Sequence, residues 1–290
     1  MGRKAGARRL SRRRFLRITA LGTLAGGALV VGDQVLNGRY RIQTTRREIE
    51  IEGLPAGFDG FRIVQLTDLH HGRQVPLELV SRSVAAANAA EPDLVVLTGD
   101  YVTGSARYAR PCAQELQGLR APRGLIAVLG NHDYWSDAAV VTKALEDAGA
   151  RVMGNEHLIL TRGADRLALV GVEDLWAGNP DPEAAVADLE PGIPRLMLTH
   201  NPDLIQELPD LKIALALAGH THGGQMGLPV LQGLTVPSRY GSKYACGLVQ
   251  GPNTRVYVSR GIGTVGLPVR VFCRPEVALL ILRRPAAPEA

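Results

Sequence analysis

Short apolar runs punctuate the chain and break off into polar residues at five places. The runs are Ile63 with Val64, then residues 94–97, 126–129, 196–198 and 214–218. Continuous apolar stretches bounded by turn residues predict buried strands. Strands are therefore expected at 62–66, 94–97 and 125–129, with helix-like segments at 77–90 and 113–119 between them. An amphipathic helix at 138–148 follows, then strands at 157–160 and 167–172 and a short helix near 182–189. Further strands are expected at 196–198 and 213–218. Beyond Gly224 the pattern is strand and loop, at 248–250, 254–259, 269–272 and 277–282. Alternation of strand and helix predicts a layered α/β fold, and two packed sheets with helices outside both would account for the order.

Residues 39–60 read as a polar connector ending in the turn-rich Leu54, Pro55, Ala56, Gly57, Phe58, Asp59 and Gly60. The main domain is expected to span 61–284, with 285–290 a loose tail. Residues 1–38 have a different character. Ser11, Arg12, Arg13, Arg14, Phe15, Leu16 and Arg17 precede an apolar stretch at 18–31, as a positive region precedes the apolar region of an export signal. The basic segment resembles the twin-arginine signal, Ser/Thr-Arg-Arg-x-Phe-Leu-Lys, with Arg17 in place of the final Lys. That resemblance implies the twin-arginine export machinery as a partner and export of an already folded protein. Small residues occur at Ala25, Gly26 and Gly27, but no Ala-x-Ala closes the run. The apolar run itself is about 14 residues, short of the ~20 of a comfortable span. The expected location is the outer face of the cytoplasmic membrane, the periplasm or the cell wall, with membrane association if the signal is retained.

At 290 residues the chain can bury one large core or two small ones. Its formal charge of +5 is set by the leader. Residues 1–17 carry eight basic side chains and no acid, so of the 33 basic side chains 25 remain against 28 acidic ones, a net of −3 for 18–290. Such a body, with only 4% aromatic residues, disfavours a nuclease, and no nucleic-acid partner is expected. Cys112, Cys246 and Cys273 are odd in number and lack CxxC spacing, which excludes a disulfide framework. They are expected to be small core residues.

The polar words that follow the apolar runs all carry metal-binding side chains. They are Thr67, Asp68, Leu69, His70; Thr98, Gly99, Asp100; Gly130, Asn131, His132, Asp133; Thr199, His200; and Gly219, His220, Thr221, His222. Placed just past buried strands, they can collect at one edge of a sheet. Asp68 and His70 are two apart, as are His220 and His222, and in extended backbone such pairs face one side. Two carboxylates, one amide and four imidazoles without a thiolate suit Mn, Fe, Zn, Co or Ni and disfavour an all-oxygen Mg or Ca cage. Two divalent ions bring +4, while Asp68, Asp100 and a hydroxide bring −3, so about +1 remains for an anionic substrate. Asp100, with no ligand neighbour in its own word, is the candidate shared carboxylate. Gly99, Gly130, Gly219 and Gly223 would permit tight turns there.

These words, in this order, resemble the calcineurin-like metallophosphoesterase superfamily, whose pattern is Asp-x-His, Gly-Asp, Gly-Asn-His-Asp/Glu, His and Gly-His-x-His. The likeness covers about Phe61 to Gly224 and fills every core position. Gly60, Phe61, Arg62, Ile63, Val64, Gln65 and Leu66 before the first word, and Gly223, Gly224 and Gln225 after the last, look like the exported branch typified by YkuE-type and YaeI-type phosphodiesterases. The resemblance implies a four-layer α/β/β/α sandwich of two mixed β-sheets flanked by helices. It implies two divalent ions, Mn, Fe or Zn, with Asp68, His70 and His222 on the first, Asn131, His200 and His220 on the second, and Asp100 on both. It makes His132 the catalytic residue facing the scissile phosphate, oriented through a hydrogen bond to Asp133. His71 and His157 match no family position.

The expected function is a binuclear metal-dependent phosphodiesterase in which a metal-bridging hydroxide attacks phosphorus directly. The substrate would be a phosphodiester or a lipid-linked phosphate. An alternative within the class is a UDP-2,3-diacylglucosamine-type pyrophosphatase, for which Leu228, Val230 and Leu231 could line an acyl groove. An alternative of another class is a non-catalytic module of the same fold, disfavoured because no ligand position is missing. Residues 231–244, with Arg239, Tyr240, Lys243 and Tyr244, could contact a second phosphate.

Overall fold

In the computed structural model, which describes residues 12–227 and 235–286, two six-stranded sheets pack face to face. The first sheet holds β1 (Gln43–Glu50), β2 (Arg62–Leu66), β3 (Leu94–Thr98), β4 (Leu125–Val128) and β5 (Ala150–Val152), together with the last strand, β12 (Glu276–Arg283). The second holds β6 (Glu156–Arg162), β7 (Asp165–Gly171), β8 (Arg195–Leu198), β9 (Ile213–Ala218), β10 (Gly247–Gln250) and β11 (Arg255–Val258). Their orders are β1-β12-β2-β3-β4-β5 and β10-β11-β9-β8-β7-β6. Both sheets are mixed: β2, β3, β4 and β5 run parallel, as do β7, β8, β9 and β11, while β12, β6 and β10 pair antiparallel with their neighbours β2, β7 and β11.

Why the central strands are apolar on both faces along most of their length follows from what lies on each face. Ile63, Leu94, Val96, Ile126 and Val128 point between the sheets, where they meet Leu169, Leu196, Leu198, Leu215 and Leu217. Val64, Leu66, Val95, Leu97 and Ala127 point the other way, onto α2 (Leu77–Ala89), α3 (Ala109–Leu116) and α4 (Asn131–Asp147). Val170, Met197, Ala216 and Ala218 form the outer face of the second sheet, against α5 (Pro182–Val186) and α6 (Leu204–Glu207). Each large side chain fully buried this way contributes about 1.5–3 kcal/mol. The result is the four-layer α/β/β/α sandwich. One polar residue crosses the middle layer: buried Gln65 donates to Thr98 Oγ1 at 2.9 Å and to the Ala218 carbonyl at 2.9 Å. It ties the two sheets together at the level where β2, β3 and β9 end.

The structure departs from the sequence reading at the margins. Residues 43–50, read as part of a connector, form the edge strand β1, paired with β12 along its whole length from Gln43↔Glu276 to Glu50↔Arg283. Only Ile49 in it is buried, so an edge strand with one neighbour carried no apolar signature. Strand β5 was missed for its three-residue length. Residues 269–272 are not a strand; only a single bridge, Met226↔Val271, is made there. Helix α4 begins seven residues before the amphipathic pattern because Asn131, His132 and Asp133 open it. It kinks at Asp137, whose Oδ1 accepts from Val140 N–H at 3.1 Å and caps the second segment, and this is where the periodicity begins. Cys112 and Cys273 are buried as expected, whereas Cys246 is exposed; all three are free.

Ahead of the sheets stands the helix α1 (Arg12–Asn37), of 26 residues. At 1.5 Å per residue it is about 39 Å long. With a mean hydropathy of 1.6 in its most apolar window, it is long and apolar enough to cross a membrane, which the 14-residue run alone was not.

Candidate metal centre

Each polar word emerges where a parallel strand stops: Asp68 and His70 after β2, Asp100 after β3, Asn131 and His132 after β4, His200 after β8, His220 and His222 after β9. The words do converge, but not through extended backbone. Asp68, His70, Asp100, His220 and His222 all have positive φ, at 51°, 48°, 58°, 70° and 54°. Thr221, between the last two, sits at φ −82°. Alternation of left- and right-handed residues, rather than the pleat of a strand, turns the i and i+2 side chains inward. A left-handed non-glycine residue costs about 1–2 kcal/mol. The cost is offset by backbone bonds that hold the segment: Asp68 N–H to Gly99 O at 2.9 Å, His70 N–H to Asp100 O at 2.9 Å and Ile262 N–H to Thr67 O at 3.1 Å.

Two groups of side chains result, and Asp100 belongs to both. In the first, His70 Nε2 lies 3.7 Å from Asp68 Oδ1, His222 Nε2 lies 3.3 Å from the same oxygen, and the two ring nitrogens are 3.0 Å apart. In the second, His220 Nδ1 is 3.3 Å from His200 Nε2. Asp100 Oδ2 stands between the groups, 3.5 Å from His70 Nε2 and 3.1 Å from His200 Nε2. Asn131 is buried at the head of α4, and its Oδ1 has no hydrogen-bond partner; neither has His220 Nε2. Carboxylate, amide and imidazole donors turned toward shared points, two of their polar atoms orphaned, fit divalent cations with nitrogen and oxygen preferences.

The far side of each ring is fixed. His70 Nδ1 meets Thr103 Oγ1 at 2.6 Å, His200 Nδ1–H donates to the Thr98 carbonyl at 2.8 Å, and Arg270 Nη2 donates to His222 Nδ1 at 3.3 Å. Such partners set the ring orientations; the Thr98 carbonyl, by taking the Nδ1 proton, leaves His200 Nε2 for the site, and Thr103 can do the same for His70. Asp68 is held from behind by His220 N–H, at 3.0 and 3.1 Å to its two oxygens. Burial works against the charge of Asp68 and Asp100, yet the surrounding imidazoles keep both carboxyls below the usual range. Burial pushes His220 down to about 3 and His222 far below its ordinary value, so both rings are neutral, the form a ligand requires. His200, though buried, is raised well above by Asp100.

Asp133 does not orient His132. Its carboxylate accepts four backbone N–H groups: Asp100 at 2.7 Å, Tyr101 at 2.9 Å, Val102 at 3.3 Å and Gly130 at 3.0 Å. It therefore shapes the Asp100 turn and starts α4, and burial beside Asp100 pushes its own carboxyl up to about 8. The geometric reason is its place at the third position of the helix, from which its carboxyl reaches back to the N–H of Gly130 just ahead of the helix and across to the N–H groups of the turn after β3. His132 is placed by its backbone, whose N–H donates to Asp100 Oδ1 at 2.8 Å, and by ring contacts with His70 and Trp135, each with centroids 4.9 Å apart.

Other candidates fall elsewhere. His71 donates to the Val75 carbonyl and His157 to that of Ala185, each inside local structure. Lys243 and Tyr244 both bond Gln206 on α6, Tyr240 packs edge-on against Tyr244, and Arg239 N–H donates to Asp203. That group braces α6 rather than the centre. Leu228, Val230 and Leu231 lie outside the described residues. Arg270, Thr103, Trp135 and Trp176 were missed. Trp176 packs edge-on against His220 at 4.3 Å. A signal for the aromatic pair existed, since the chain has only two tryptophans and Trp135 stands three residues after His132.

Close approach of backbone explains Gly219. A Cβ there would overlap Thr67 Oγ1 and Asp68 Oδ2 and sit 2.9 Å from Thr67 Cγ2. Gly219→Val is expected to cost about 1–3 kcal/mol through overpacking. It should also displace Asp68 enough to lower metal content. Urea unfolding in chelator and elemental analysis read the two effects separately; an unchanged midpoint would show that the contact is not tight.

The model of the family described as calcineurin-like phosphoesterase matches residues 61–224. The chain is 35% identical to the metallophosphoesterase YkuE of Bacillus subtilis, over 95% of this chain and 99% of that one. It is 35% identical to the phosphodiesterase YaeI of Escherichia coli, over 77% and 82%. It is 30% identical to the UDP-2,3-diacylglucosamine pyrophosphatase LpxG of Chlamydia trachomatis, over 82% and 88%.

Proposed function

The chain belongs to the calcineurin-like phosphoesterase family and is a metal-dependent phosphoester hydrolase, and on that premise we propose that it is a binuclear phosphodiesterase acting outside the cytoplasmic membrane. The observation that carries the two-metal reading is the position of Asp100, whose one carboxylate is shared by both groups of imidazoles. Asp68, His70 and His222 would hold one ion, Asn131, His200 and His220 the other, and Asp100 both. Nitrogen and oxygen donors without thiolate favour Mn, Fe or Zn. When bound, such ions supply Lewis acidity toward phosphoryl oxygens and a nucleophile drawn from water at neutral pH.

The protein's own part is positioning and proton transfer. His220 and His222 are already neutral, whereas His200 must give up a proton to bind, so loading should release protons. His132 stands at the mouth, half-buried, with a ring that makes no hydrogen bond among the described residues. Burial lowers its pKa, and the negative charge of an arriving phosphate would favour its protonated form again. It is the group available to protonate a departing alkoxide. Likeness to YaeI supports a diester over a monoester. Export through the twin-arginine machinery is supported by the Ser11–Arg17 pattern and by α1.

A second reading, a pyrophosphatase acting on a lipid-linked sugar nucleotide, is supported by the likeness to LpxG. One panel separates them. The full chain in detergent, stripped with chelator and reloaded with Mn, Fe or Zn, is offered bis(4-nitrophenyl) phosphate, 4-nitrophenyl phosphate, a UDP-diacylglucosamine and a glycerophosphodiester polymer. The diesters are expected to be cleaved fastest, with activity abolished by chelator and restored by metal. Preference for the sugar nucleotide would select the second reading, and activity indifferent to chelator would overturn both.

A further inference from the structure

We propose that the mouth of the metal centre faces a lipid bilayer, with α1 as the anchor that holds it there, so that the phosphoester is taken from the membrane surface. The proposal rests on the phosphoesterase reading above and adds an orientation to it. Topology supplies the first support. Strand β1 runs parallel to β12, and β12 runs antiparallel to β2. Gln43, the first residue of β1, therefore lies at the edge where β2, β3 and β4 deliver Asp68, Asp100 and Asn131, and its N–H donates to the Pro275 carbonyl at 2.8 Å. Helix α1 leaves the domain from the catalytic edge, not from the opposite one.

The junction is close-fitting. Gln34 and Gly38 are buried, and a Cβ on Gly38 would overlap the Arg270 carbonyl. Arg41 forks onto Asp33 in the last turns of α1 with bonds of 2.6 and 2.8 Å. Arg270 in turn reaches His222 Nδ1, so one residue links the end of the helix to the centre. A membrane-crossing α1 that ends here brings the mouth to headgroup level.

The surface around the mouth supplies the second support. Outside α1, the exposed large apolar side chains among the described residues are Trp135, Val140, Trp176, Leu248, Leu267 and Phe272. Four of the six lie on segments that build the centre, Trp135 on α4 and the other three on loops. Trp135 lies against His132 and Trp176 against His220, while Leu267 and Phe272 flank the Arg270 segment that backs His222. Single exposed apolar residues are ordinary, but two exposed tryptophans packed against histidines of one site, with two more apolar side chains on the segment behind it, mark an interaction surface. Tryptophan is the residue that settles at the membrane–water interface, apolar in body and polar at the N–H. Arg73 and Arg107, on the turns after β2 and β3, and Arg274, beside the α1 junction, are exposed as well. Each cation near an anionic leaflet contributes about 1 kcal/mol of attraction.

Because Trp135 and Trp176 are the only tryptophans in the chain, emission excited selectively at tryptophan reports on these two positions alone. The full chain is reconstituted into phosphatidylcholine–phosphatidylglycerol vesicles, with and without lipid brominated close to the headgroup. Roughly half or more of the emission should be quenched, as befits rings seated at headgroup level. Leu267→Ser combined with Phe272→Ser should reduce the quenching while leaving turnover of soluble bis(4-nitrophenyl) phosphate unchanged, since neither side chain touches the centre. Emission indifferent to brominated lipid would mean that the mouth looks away from the bilayer. The same vesicles are assayed with Mn and the soluble diester. Turnover without quenching removes the orientation and leaves the hydrolase; quenching without turnover does the reverse.

Discussion

Asp100→Asn is expected to abolish turnover and to release metal. Asn fits the left-handed backbone at this position nearly as well as Asp, since both are enriched there among non-glycine residues, and its Oδ1 can still accept the His132 N–H seen at 2.8 Å. The substitution therefore removes one thing, the negative charge shared by the two groups of imidazoles. Asp68 would then be the only carboxylate facing two divalent cations. Lewis-acid assistance from a metal amounts to several kcal/mol of transition-state stabilisation, so its loss should lower kcat by roughly 10³-fold or more, at 1.36 kcal/mol per factor of ten. Elemental analysis should show fewer than two ions per chain, while circular dichroism stays native. Two retained ions with full activity would remove Asp100 from its shared place.

His132→Ala should behave in the opposite way: both ions kept, and most activity lost. The residue lies in the first turn of α4, where Ala is a good helix former, and its backbone N–H survives the change. Loss of a proton donor at the leaving group predicts a fall of about 10²- to 10⁴-fold. The fall should be smaller for substrates with acidic leaving groups, such as a nitrophenolate, that need no proton. This dependence distinguishes a proton donor from a residue that merely fills space. His70, Asp100 and His132 also lie close enough to share an ion. Equal metal loss in the two variants would make His132 a ligand and end the division of roles.

Much of this was legible in the chain. The five words named the Asp, Asn and His side chains that the structure brings together, though not the Thr103, Arg270, Trp135 and Trp176 that touch them, because ligand chemistry restricts the choice to Asp, Asn and His and because each word follows an apolar strand. Their convergence was foreseen for the wrong local reason. Alternation along a strand was assumed, but the positive φ of Asp68, His70, His220 and His222 was invisible, since no glycine marks those positions. Asp133 was misassigned for a related reason. A carboxylate next to a catalytic candidate reads as its partner, whereas its place in the first turn of a helix commits it to backbone N–H groups. Strand β1 escaped because pairing on one side only leaves its residues wet, and Arg270 because a buried arginine has no pattern in sequence.

The left-handed residues limit how the centre can be altered. Asp and His adopt such dihedrals with modest penalty, whereas β-branched side chains do so rarely and cysteine gains nothing there. Attempts to convert the protein to softer ions by exchanging His for Cys would disturb the chain's path as well as the donor atom. At Asp68, His70, Asp100, His220 and His222 the donor atom and the chain's path are thus tied together, and redesign would have to begin from the turns, with ligand exchange as the later step.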